Sequence, residues 1–172
     1  MYRKHLRKTP LLLERRNFGG GSLMVWGAFC AAGLLGLAFL SCRMDSVEYH
    51  RVLEERLLPF LRQHRRRSLI FMRDNAAVHV SRSTSDWIAS RNITVLECPA
   101  CSPDLNPMEN VWAFIVKKIY DEAKQYNTVE ELKLTMLDAW TNLDLKLIAS
   151  FSESIPRRSG EALANNGGPT HY

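Results

Sequence analysis

Leu69-Ile70-Phe71-Met72-Arg73-Asp74-Asn75 is the stretch on which the reading of this chain turns. Four apolar residues in a row, closed by a charge and an Asn, suit a short buried strand, so a strand is predicted over 69–73. That strand delivers a carboxylate, Asp74, at its C-terminal end. Downstream, Ser102-Pro103-Asp104-Leu105-Asn106-Pro107-Met108-Glu109-Asn110-Val111-Trp112 supplies a second one. Asn106, Pro107 and Glu109 fit the N-cap, first and third positions of a helix. Its apolar face should run through Val111, Trp112, Ile115, Val116 and Ile119. Residues 75–108, a gap of 34, lie between the two carboxylates. A strand-end Asp and a helix-borne Glu can converge on one divalent cation, and paired carboxylates suit magnesium chemistry on phosphates. Each also has a local use: Asp74-Asn75 fits an Asx turn, and Glu109 fits the closing member of a capping box.

Outward from this pair, strand and helix patterns alternate. Asp45-Ser46-Val47-Glu48 fits a capping box leading a helix whose face is Tyr49, Val52, Leu53, Leu57, Phe60 and Leu61. Pro59 should kink or end it, because proline lacks an N–H and clashes with the preceding turn. A short helix is predicted over 81–90, a strand over 93–96 and a Pro-rich loop over 98–106. Thr128-Val129-Glu130-Glu131 opens another helix, through Leu132, Met136, Leu137 and Trp140. A last helix is predicted over 145–154, followed by a loose tail over 165–172. The sum is an α/β pattern. Residues 23–40 carry no charge, and a run of 18 apolar, Gly and Ala residues touches the lower limit of a membrane-spanning helix. Gly27, Gly33 and Gly36 interrupt it, and Met24-Val25-Trp26 favours a strand.

At 172 residues the length suits one domain, and 46% hydrophobic content can supply a core, which argues against disorder. The formal net charge is +5. Basic residues cluster at 3–8 and 15–16, within an arm over 1–18, and at Arg62, Arg65, Arg66 and Arg67. Each cluster alone reads as a solvated loop; together they favour a polyanionic partner. Cys98-Pro99-Ala100-Cys101 has no second C-x-x-C or H-x-x-H to complete a zinc site. Cys30, Cys42, Cys98 and Cys101 therefore read as reduced thiols of a cytosolic or nuclear protein.

Asp74-Asn75-x-x-x-His79, followed by the 102–112 block, resembles the catalytic domain of Tc/mariner DDE transposases, with the spacing of the Tc branch. Gly19-Gly20-Gly21-Ser22-x-Met24-Val25-Trp26-Gly27-x-Phe29 is similar to another block of the family. So is the ending, Pro156-Arg157-Arg158 and then Asn166-Gly167-Gly168. Three blocks in order make the resemblance specific over nearly the whole chain.

The resemblance implies a ribonuclease-H-like α/β fold with C-terminal helices, and two strands at 23–29 and 34–40. It implies that Asp74 and Glu109 are catalytic ligands of Mg2+ or Mn2+. Arg65, Arg66, Arg67 and His79 are then expected to contact nucleic acid, His79 having an equal claim to orienting Asp74 or shaping a helix entry. Arg73 beside Asp74 would compete with a cation. The implied partners are DNA, both transposon ends and target, and a second copy or a full-length transposase, in the nucleus. The family carries a first catalytic Asp on a central strand, upstream of a segment like residues 2–10. The expectation is therefore a basic arm over 1–18 and a domain over 19–172 incomplete at its N-terminus, inactive in strand transfer. Two sheet edges would be left unpaired. The alternatives are a non-catalytic nucleic-acid-binding or transposase-pairing protein, and a small membrane protein anchored by 23–40.

Overall fold

The computed structural model describes residues 23–40, 44–96, 98–99, 102–120 and 125–165. The uncharged run at its start is a β-hairpin: β1 (Met24–Cys30) pairs antiparallel with β2 (Gly33–Leu40). The Ala31-Ala32 turn runs into Gly33, whose φ of +131° is a conformation that glycine adopts without a steric penalty. Both faces of the hairpin are covered, which is why the segment carries no charge. Val25, Phe29, Leu37 and Phe39 pack into one core, with Val111, Ile115, Trp140 and Ile148. Trp26, Ala28, Leu35 and Leu40 pack into a second, with Tyr49, Val52, Leu53 and Leu57. Among the described residues no helix is long and apolar enough to cross a membrane.

Helix α1 (Ser46–Val52) starts as its capping pattern requires, with the Glu48 amide donating to Asp45 Oδ1 at 2.8 Å. Pro59 does not end the helical path. A π-helical turn (Leu53–Leu57) widens the helix one turn ahead of it, and the path continues as α2 (Leu58–Gln63) with Pro59 in the first turn. The wider i→i−5 register, seen in the Leu58 amide bonding to the Leu53 carbonyl, accommodates a residue that cannot donate. Strand β3 is shorter than predicted, Phe71–Met72, and pairs in parallel with β4 (Val95–Leu96). The predicted 81–90 helix is α4 (Arg82–Ser90), capped by Ser81, and a one-turn helix α3 (Ala77–Val80) precedes it.

The Pro-rich loop contains a 3-10 turn (Pro103–Leu105) and leads into α5 (Met108–Ile119). Val111, Ile115 and Ile119 are fully buried, whereas Val116 is 49% exposed and so leaves the predicted core face. Helix α6 (Val129–Thr141) begins with the Glu131 amide donating to Thr128 Oγ1. Leu145–Glu153 forms α7. A further helix, α8 (Ile155–Ala164), was not predicted: few apolar residues mark it, and only Pro156 in its first turn betrays a helix start.

The described strands form two separate two-stranded sheets, β1–β2 and β3–β4. Among the described residues β1 and β3 thus each pair on one side only. The expected basic arm (1–18), Cys42, Cys101 and the tail 166–172 lie outside the described residues.

Candidate active site

A cavity of about 390 Å³ lies between the two sheets. Its walls are the exposed edge of β1, residues 69–74, Tyr49, His79, and the start of α5. Asp74 and Glu109 both line it, so the structure brings the two sequence-selected carboxylates to one cleft. Asp74 reaches it from the C-terminal end of β3, and Glu109 from the first turn of α5.

Asp74 has a defined setting. Its Oδ1 accepts from the Ala76 amide at 3.0 Å, the expected Asx turn, and lies 2.6 Å from His79 Nδ1. The His79 ring is mostly buried and packs against Tyr49 with the ring planes tilted by 30° and centroids 4.4 Å apart. Both bonds fall on one carboxylate oxygen, which leaves Oδ2 available for a ligand. Asn75 donates to the Cys98 carbonyl at 2.8 Å, tying the end of β3 to the segment that follows β4. Burial, and then the negative charge of Asp74, push the Cys98 thiol up, so it is held protonated rather than as a reactive thiolate. Arg73 turns its guanidinium onto the His79 carbonyl, and its charge favours ionisation of the neighbouring Tyr49 hydroxyl. Its charge is partly spent on groups that fix His79.

Glu109 has no such local partner. The capping box available to it does not form, because the Asn106 amide bonds to the Pro103 carbonyl instead. Asn106 caps the helix alone, its Oδ1 accepting from the Met108 amide at 3.1 Å. The Glu109 carboxylate is exposed, and no hydrogen bond or ion pair falls on it among the described residues. Two acidic groups with open oxygens suit a hard divalent cation, which takes oxygen ligands and, in the case of Mg2+, keeps several waters. Among the described residues no group of three His, Cys, Asp or Glu side chains converges for a metal.

The arginines sit elsewhere. Arg65 and Arg67, with Arg62 and Arg91, line a second cavity of about 520 Å³ beside residues 92–94, at the N-terminal ends of β3 and β4. Asp74 is at the opposite end of β3, a separation of roughly 3.3 Å per residue along the strand. Arg66 is exposed and is not among the lining residues. Two features were missed from sequence. Gly27 lets β1 approach the helices: a Cβ there would lie 2.8 Å from Met108 Cε and 3.0 Å from the Trp140 ring. Arg158 is buried and donates to Asn110 Oδ1. Gly27 stood inside a noted block, but only the packing against it reveals its purpose.

Residues 7–133 match the family described as DDE superfamily endonuclease. The Tc3 transposase of Caenorhabditis elegans is 43% identical over 171 residues, 99% of this chain and 52% of the relative. The chain thus spans about half the length of this curated relative. Among solved structures, a pre-cleavage Mos1 transpososome covers 99% of the chain and 52% of its own, with a TM-score of 0.81 at 20% identity. The Mos1 transposase catalytic domain with Raltegravir and Mg covers 87% of this chain and 77% of its own, with a TM-score of 0.73 at 21% identity. The fold is that of these catalytic domains, ribonuclease-H-like with C-terminal helices, and the chain belongs to the Tc/mariner transposases of the DDE superfamily.

Proposed function

We propose that this chain carries metal-holding carboxylates of a DNA transposase, and that Asp74 and Glu109 are those ligands, for Mg2+ or Mn2+. The observation that carries the reading is their convergence on one cleft, with Glu109 released from the capping bond its sequence position offers. The reaction is phosphoryl transfer on DNA: a hydroxyl gives up its proton to solvent as its oxygen attacks phosphorus in line, the P–O bond opposite breaks, and the departing oxygen takes up a proton from solvent. When bound, a divalent cation supplies Lewis-acid stabilisation of the reacting oxygens. Asp74 and Glu109 hold it from two elements of the fold. His79 fixes the Asp74 carboxylate, and Asn75 holds the adjoining segment in place. Transposon ends and target DNA are the substrates in this reading, a second copy or full-length transposase the protein partner, and the nucleus the site of action.

A second reading, binding of DNA without catalysis, is favoured by the arginine-lined cavity, which lies apart from the carboxylates. In either case Arg65, Arg66 and Arg67 contact phosphates. Magnesium-dependent nicking of a closed circular duplex separates the two readings. Nicking lost in both Asp74→Asn and Glu109→Gln assigns catalysis to this chain. DNA binding without nicking, unchanged in both variants, assigns the binding role.

A further inference from the structure

We propose that Arg158 is a positioning residue for Glu109, a role that rests on the reading of Glu109 as a metal ligand. Arg158 lies on α8 and is 2% exposed, the most deeply buried charged side chain among the described residues. Its guanidinium spans three segments. Nε donates to Ser154 Oγ at 2.8 Å, one turn back along the chain. One terminal nitrogen donates to the Asp104 carbonyl in the 3-10 turn at 2.7 Å, and the other to Asn110 Oδ1 at 2.6 Å. Two of these acceptors flank Glu109 in sequence, one on each side.

The geometry explains why this matters for a side chain that Arg158 does not touch. Glu109 is exposed and has no hydrogen-bond partner of its own among the described residues, so the helix backbone alone aims it. The amides of Glu109 and Asn110 bond only to the carbonyls of Asn106 and Pro107, in the first turn, where helices fray. Holding Asp104 on one side and Asn110 on the other fixes both the position of that turn and its rotation about the helix axis. Arginine suits the task because its planar fork reaches two acceptors at once in fixed geometry; a lysine nitrogen is a single point. Outer partners of this kind hold ligand orientation, and their loss typically lowers metal affinity by about 10–100-fold.

The test uses the full chain with Arg158→Lys, Asn110→Ala, the double variant, and Arg157→Lys as a charge-matched neighbour. Mn2+ affinity is read by electron paramagnetic resonance, and backbone amide exchange by mass spectrometry or NMR. The expected result is an affinity at least about 10-fold lower in Arg158→Lys. The amides of residues 108–110 exchange faster, while those of Ile115 and Ile119 stay protected. Asn110→Ala moves both readouts the same way, the double variant adds little, and Arg157→Lys changes neither. Asn110→Ala serves as the deciding variant if Arg158→Lys does not fold. Unchanged exchange at 108–110 overturns the proposal. So does faster exchange throughout α7 and α8 with unaltered Mn2+ affinity, which marks a docking role only. If the unmodified chain binds no Mn2+, the cation reading itself falls, and exchange at 108–110 alone then decides whether Arg158 holds this turn.

Discussion

His79 Nδ1 lies 2.6 Å from Asp74 Oδ1, and the imidazole that makes this contact packs against the Tyr49 ring while Arg73 donates to the His79 backbone carbonyl. A carboxylate at the end of a two-residue strand has little else to fix it. His79→Ala is therefore expected to lower Mn2+ affinity by about 10–100-fold with little change in fold. Isothermal titration of Mn2+ checks this; equal affinity in the variant means Asp74 is oriented by its Asx turn alone.

Gly27 is a packing requirement rather than a turn. A methyl group there would meet Met108, Trp140 and Trp112 at 2.8, 3.0 and 3.1 Å. Met108 can swing aside, but Trp140 is buried. Gly27→Ala should cost about 1–3 kcal/mol in denaturant unfolding. Gly36→Ala should be nearly neutral, since its nearest neighbour, Arg56 Cδ, is 3.6 Å away. Equal effects at the two positions would refute the distinction.

Burial raises the pKa of the Tyr49 hydroxyl well above the ordinary tyrosine range, and the nearby Asp74 charge adds to this while Arg73 opposes it. A raised folded-state value means the neutral form is favoured by folding. The associated stability is complete below the unfolded pKa near ~10 and is lost as pH rises beyond it. Unfolding measured from pH 8 to 11 should steepen in the unmodified chain and flatten in Tyr49→Phe. Parallel pH curves would show that Tyr49 ionises freely.

The arginines at the far end of β3 give an electrostatic expectation. Phosphate contacts release counterions, so if about four are made, log K should fall with log salt at a slope near −3.6 on duplex DNA. Replacing Arg65, Arg66 and Arg67 by Ala should flatten that slope by about 0.9 per lost contact, equally for all sequences. Fluorescence anisotropy at several salt concentrations reads it out. Salt-insensitive or strongly sequence-selective binding would place the contacts elsewhere.

Much of this arrangement was legible because local chemistry and tertiary need coincide. Asp45 and Thr128 cap the helices their spacing announces, and the Asp74 and Glu109 blocks fall on a strand end and a helix start as read. The uncharged hairpin was ambiguous because strand and membrane helix demand the same apolar content when both sheet faces are covered. Pro59 was expected to kink or end the helix; the path does not end there, because a π-helical turn relieves its missing donor, and no residue type announces such a turn. Arg158 was hidden because its partners lie 48 and 54 residues away and one of them is a backbone carbonyl. Val116 followed the helical period yet faces solvent, since the neighbouring helices cover only part of the face.

The most direct test of the carboxylate pair is paramagnetic broadening of backbone amides on titration with Mn2+. If Asp74 and Glu109 hold one cation, signals from residues 74–76 and 108–110 broaden together, at the same Mn2+ concentration, and Mg2+ reverses it. Asp74→Asn and Glu109→Gln each abolish both sets. Broadening of one segment alone, or broadening that survives either substitution, contradicts a shared site.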